Sequence, residues 1–170
     1  MRTDKDDREQ GILMLTNGLF FSKEGHFLID KFYDSKHKDS IQSKSNKSLA
    51  LLNMEQALEC FIKGVICFYE GRTFEKTHLI TDNIDKILKI INNNDELHPI
   101  KPYIEECDDN AFAYELLRWS HIARYDTVSF DSRYLSKVKY INNKLYTFYT
   151  INSDIFDVEN PVYLKNNKED

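Results

Sequence analysis

Apolar side chains recur at steps of three and four along most of the chain, the period of an α-helix. Ile12, Leu13, Leu19, Phe20, Phe27 and Leu28 predict a first amphipathic helix over roughly 8–32. Residues 36–48 are polar and rich in Ser and Lys, which predicts a loop or the solvated start of the next helix. Met54, Leu58, Phe61, Val65 and Phe68 then step by 4, 3, 4 and 3, one continuous face over about 46–70. Gly71 follows as a helix stop. Ile80, Ile84, Ile87 and Ile91 mark a third helix, with Thr77 as its N-cap and Asn92-Asn93-Asn94 at its end. Pro99 and Pro102 punctuate a connection that carries a short helical turn over 100–106. Phe112, Leu116, Trp119 and Ile122 mark a fourth helix. Leu135, Val138, Ile141, Leu145 and Phe148 mark a fifth, over about 129–150. Beyond Ile151 the helical period is lost and Pro161 intervenes, so 151–170 is expected to be an irregular tail, strand-like around 162–164. The pattern predicts an all-α, antiparallel up-and-down bundle of about five helices over 1–150, without repeats or an internal boundary.

Composition narrows the picture. A chain of 170 residues with 41% hydrophobic residues fits one domain and supplies one core without disulfides or metals. Only 5 Gly and 3 Pro leave too few tight turns for a β-sandwich or barrel. The net charge of −5 argues against a dedicated duplex-DNA binder while leaving room for a local basic groove. No apolar run is long enough to span a bilayer, and the first residues, Met1 to Asp7, are charged on both signs. A cytoplasmic protein with no membrane partner is therefore expected. Cys60, Cys67 and Cys107 form no Cys-x-x-Cys pair, and Cys60 and Cys67, seven apart inside an apolar helical pattern, read as reduced core residues. His26, His37 and His98 are isolated, and no Gly-rich phosphate loop is present, so neither a metal nor a cofactor is expected.

One stretch is more specific than its period. It reads Gln56-Ala57-Leu58-Glu59-Cys60-Phe61-Ile62-Lys63-Gly64, then Gly71, then Glu75-Lys76-Thr77-His78. This resembles the HEPN family of small helical domains, which carry Gln-Ala-x-Glu-x-x-x-Lys on the second helix, a Gly at its end and Lys-Thr-His at the start of the next. Ala123-Arg124-Tyr125-Asp126 is similar to the Arg-Tyr-Pro sequence that often closes the family's fourth helix, with Asp126 in the place of Pro. The resemblance covers about 46–126. It implies a helical bundle acting in nucleotide- or nucleic-acid-linked systems. Such domains often work as homodimers, and often beside a nucleotidyltransferase partner in toxin–antitoxin or defence modules.

The residues themselves suggest three kinds of chemistry. Glu59 and Lys63, four apart with Glu first, form either a solvated helix pair or the wall of a polar groove beside Thr77 and His78. Lys76, Thr77 and His78 at a helix start, with Arg72 nearby, would suit the phosphate of a nucleotide or RNA; alternatively His78 simply fixes the loop. Arg118, His121 and Arg124 step by three along one side of the fourth helix, and Tyr125 adds a ring that could stack on a base. The bland alternative is a polar, solvated stripe packed against Glu115 or a neighbouring helix. The resemblance adds a ribonuclease signature, an Arg followed by His after four to six residues. Arg72 and His78, five residues between them, fit that count, with His as general acid or base and Arg on the developing phosphorane charge. The expected function is a non-catalytic nucleotide- or nucleic-acid-linked binding or regulatory domain. The alternatives are a metal-independent ribonuclease using Arg72 and His78, and a helical interaction module that dimerises through an aromatic-rich helix face.

Overall fold

The computed structural model describes residues 5–123 and 132–156. Among them every regular element is helical. Six α-helices run in order: α1 (Lys5–Asp34), α2 (Ile41–Glu70), α3 (Ile84–Asn92), α4 (Lys101–Cys107), α5 (Asn110–Ala123) and α6 (Ser132–Ile151). Short 3₁₀ turns cover Ile80–Asn83, Asp95–Ile100 and Ser153–Phe156. The count is six rather than five because the segment behind Pro99 and Pro102 forms a short helix of its own, with Pro102 in its first turn where no N–H is needed.

Both long helices outrun their expected limits. α1 is already helical at Lys5, the first described residue, and α2 begins at Ile41, so the polar stretch read as a loop or the solvated start of the next helix is in its greater part that helix start. The reason at α2 is a cap: the Ser40 hydroxyl accepts a hydrogen bond from the Ser43 N–H at 3.2 Å, satisfying an orphan donor of the first turn. At the other end Gly71 takes φ 77°, a left-handed value only glycine adopts freely, and its N–H returns to the Cys67 carbonyl.

α1 and α2 form an antiparallel hairpin closed by three glycines seven residues apart. Gly11, Gly18 and Gly25 all lie on the buried side of α1, facing in turn Gly64 and Phe68, Cys60, and Met54 and Ala50. A methyl at Gly11 would come within 2.7 Å of the Phe68 backbone nitrogen and 2.8 Å of the Gly64 carbonyl oxygen. At Gly18 the space goes to Tyr146 of α6, whose hydroxyl would stand 1.7 Å from an added methyl. That hydroxyl passes between the two helices and donates to the Ala57 carbonyl at 2.6 Å. Asn142, one turn earlier and fully buried, donates to the Met54 carbonyl at 3.1 Å. The two bonds lay α6 parallel to α2. Thr16 with Tyr149, and Asp30 with Lys139 at 2.9 Å, set α6 antiparallel to α1.

The core lies where these three helices meet α3, α4 and α5, around Met54, Leu58, Phe61, Ile84, Ile87, Leu116 and Leu145. Two expectations change here. Of the first helix's predicted apolar face, Leu19 is buried, Ile12 and Leu28 are half-buried, and Leu13, Phe20 and Phe27 face solvent. The inward face is instead carried by the glycines with Leu15, Ile29 and Phe32. The tail is not irregular from its start: Phe156 is fully buried against Phe68 and Tyr149, at ring separations of 5.3 and 5.4 Å. The strand expected around 162–164 falls outside the described residues.

Alanine is the better helix former by about 1 kcal/mol, yet Gly11→Ala is expected to destabilise the fold by about 1–3 kcal/mol, because backbone atoms of α2 occupy the space and cannot turn aside. Asn17→Ala on the exposed side of α1 is expected to hold or raise stability. Denaturant unfolding of the two variants checks the contrast.

Candidate functional site

The loop between α2 and the Ile80–Asn83 turn is fixed at alternate residues. The Lys86 ammonium donates to the Thr73 carbonyl. Asn83, buried to 1% exposure, accepts from the Glu75 N–H at 2.7 Å and donates to the Glu75 carbonyl at 3.3 Å. Lys63 of α2 donates to the Thr77 carbonyl at 2.6 Å and to Glu59 at 2.7 Å. The second Glu59 oxygen meets His78 Nδ1 at 3.1 Å. The Lys63 and Glu59 side chains are only 12% and 17% exposed, so they form the floor of this corner rather than a solvated pair. The pair lies in contact with Thr77 and His78, and Phe74 covers Lys63 at 5.6 Å from its ring centre.

Thr77 does not cap a helix. Its hydroxyl accepts the Leu79 N–H at 3.0 Å, two residues on, which makes a local turn and uses the oxygen a cap would need. The 3₁₀ turn starts at Ile80 and α3 at Ile84, without a side-chain cap at either. The helix-dipole argument for an anion at Thr77 and His78 therefore lapses. What remains there is side-chain charge: Lys76 and His78 are exposed on the fixed loop.

Arg72 and His78 engage different carboxylates. The Arg72 guanidinium pairs with Asp7 of α1 at 3.2 Å, while His78 lies on Glu59 of α2. General acid–base cleavage needs base and cation aimed at one phosphate. These two are each turned to a separate partner.

On α5, Arg118 and His121 are exposed. Arg118 pairs with Glu115 at 3.8 Å and lies over the Trp119 ring, whose indole N–H also donates to Glu115. This is the packing against Glu115 weighed above. Arg124 and Tyr125, the rest of that stripe, fall outside the described residues, as does Asp126. Of the other histidines, His98 stands 3.6 Å from Asp95. Burial holds the His26 imidazole below its usual range, with Lys139 adding to the effect and Asp30 opposing it.

All three thiols are free. Burial pushes Cys60 up to about 11 and Cys107 to about 12, so neither is a thiolate at neutral pH. Among the described residues no three of His, Cys, Asp and Glu gather as a metal site, and no helix is long and apolar enough to cross a membrane.

Sequence reasoning missed Asn83 and Lys86. Asn83 was legible: it is a polar residue inside the stripe Ile80, Ile84, Ile87, at a position one step of three from Ile80. Sequence reasoning offered an exposed aromatic-rich helix face only as an alternative and did not place it on α1, because Leu13, Phe20 and Phe27 were assigned to the apolar face of that helix.

No protein-family model matches the chain, and neither a curated protein nor a solved structure matches it.

Lys63→Met keeps the length of the side chain and removes its charge. It leaves a mostly buried carboxylate with one partner fewer, and is expected to cost about 1–3 kcal/mol. Amide exchange should accelerate in residues 72–79 more than in α2. Uniform acceleration along the chain would refute the idea that Lys63 ties down this loop.

Proposed function

We propose that the protein is a non-catalytic helical interaction domain, HEPN-like in its bundle, that docks a partner along the outer side of α1. The observation that supports this is the stripe of Leu13, Phe20 and Phe27, which are 51%, 68% and 52% exposed and spaced seven apart on a 30-residue helix. Isolated surface apolar residues are ordinary; three in register along one helix form the kind of ridge that enters a hydrophobic groove or packs on another helix. The ribonuclease alternative is disfavoured by the separate engagement of Arg72 and His78. The test is affinity capture by the tagged full-length chain from extracts of the cells that make it, beside Phe20→Ser. A specific bound species, a second copy included, should be retained by the wild type and lost by the variant, with helicity unchanged by circular dichroism. Identical capture by both proteins would sink the reading.

A second reading rests on a different observation: Arg72, Lys76 and His78 are all exposed around a loop that Lys63, Asn83 and Lys86 hold in place. Three cationic or ionisable groups on a fixed loop suit the phosphates of a nucleotide or RNA. Calorimetric titration with ATP and with GTP should give saturable heat that His78→Ala abolishes. Absence of heat with both nucleotides removes this reading.

A further inference from the structure

We infer that the partner seated on α1 is a second copy of the same chain, paired antiparallel with Phe20 at the two-fold axis. This rests on the docking reading above and names its occupant.

A two-fold centred on Phe20 brings each residue of α1 opposite the one equally far beyond the centre. Leu13, seven before, meets Phe27, seven after, and Phe20 meets its own copy. The whole exposed stripe is therefore covered by itself. The flanking charges follow the same register. Glu9 stands eleven residues before Phe20 and Lys31 eleven after, so each end of the seam sets an acid opposite a base. At 100° per residue both lie about 20° around the helix from Phe20, close enough to the seam for long side chains to reach across. Thr16 falls opposite Glu24, and Asn17 opposite Lys23, so no like charges face each other within the seam. One step further out the match ends, since Asp6 would face Asp34; this bounds the paired segment to Glu9–Lys31, about 33 Å of helix.

The parallel alternative sets Glu9 on Glu9, Lys23 on Lys23, Glu24 on Glu24 and Lys31 on Lys31, repulsion at every charged level. In the single chain these groups have only surface partners. Glu9 is 3.8 Å from Lys5, and Lys31 rests over the Phe27 ring at 4.2 Å, where it is already poised beside the apolar stripe. Pairs of this exposed kind exchange partners at little cost.

Sedimentation velocity of the full chain over about 1–300 μM tests the inference. The wild type should show a monomer–dimer equilibrium, weakened at least tenfold by Phe20→Ser. Glu9→Lys and Lys31→Glu alone should each weaken the dimer several-fold. Together they should restore it, since every pair is again opposite in sign, and these exposed substitutions leave the core untouched. A wild type that is monomeric throughout overturns the homodimer, and the docking reading then stands or falls on whether another captured species is lost with Phe20→Ser. A dimer indifferent to Phe20 overturns both. A dimer that depends on Phe20 but is not restored by the double reversal overturns the antiparallel register.

Discussion

The fold depends on how closely α1 and α2 approach. Their separation is set by the absence of side chains at Gly11 and Gly64, where backbone meets backbone, and at Gly18, where the Tyr146 hydroxyl and the Cys60 Cβ take the space a methyl group would need. That closeness has a cost in helix propensity, about 1 kcal/mol for each glycine in place of alanine. It is offset by dense contact along two 30-residue helices and by the hydrogen bond that Tyr146 makes through the gap. The Tyr146 hydroxyl occupies the space at Gly18 and reaches the Ala57 carbonyl, locking the register of α6 against both helices. A side chain at Gly18 would displace that hydroxyl from its acceptor in a fully enclosed site, where an unmade hydrogen bond is expensive. Asn142, one turn away on the same face, repeats the device with the Met54 carbonyl.

The inner register also dictates the outer one. Two residues along a helix turn through about 200°, so glycines at 11, 18 and 25 on the buried face place positions 13, 20 and 27 on the solvent face. Leu13, Phe20 and Phe27 cannot be drawn inward by a small rotation of α1, because that rotation would push other side chains into the Gly11–Gly64 contact. The exposed stripe is thus tied to the packing that defines the domain. A seven-residue repeat on one side of a straight helix drifts by only about 20° per repeat, so both the glycine row and the aromatic row stay nearly linear along α1.

The all-helical class and the centres of the helices were legible because periods of three and four in Ile, Leu, Val and Phe survive any packing detail, whereas the number was short by one and both long helices ran past their expected limits. Which side of α1 faces inward was not legible by that route. Counting large apolar residues gives Leu13, Phe20 and Phe27 to the core, whereas the inward face is marked by residues with almost no side chain. A glycine row at heptad spacing carries the missing signal. The corner around Lys63 divides in the same way. Glu59, Lys63, Thr77 and His78 were grouped from their order in the chain, and the structure places them in hydrogen-bonding contact. The Thr77 cap failed because a threonine two residues before a free N–H competes with a threonine before a helix, and spacing alone does not rank them. Asn83 decides that competition by pinning Glu75 from both backbone sides.

The polar corner and the α1 stripe differ in what they leave unsatisfied, and that difference orders the two functional readings. In the corner, Lys63 spends its donors on Glu59 and Thr77, Glu59 its second oxygen on His78, and Arg72 its charge on Asp7. A phosphate arriving there must compete with a carboxylate already paired to each cation it would use, save Lys76. Along α1 no such competition exists. Leu13, Phe20 and Phe27 are each about half or more exposed, with Lys31 over the Phe27 ring and Phe21 at the edge of Phe20, and the release of water from them drives association in proportion to the apolar area covered. A net charge of −5 opposes the approach of a polyanion, and it also sets a general repulsion between two copies that the charge matching of the proposed seam has to offset. The proposed association along α1 therefore meets fewer existing commitments than the proposed ligand capture at the corner, which has to displace ion pairs already made.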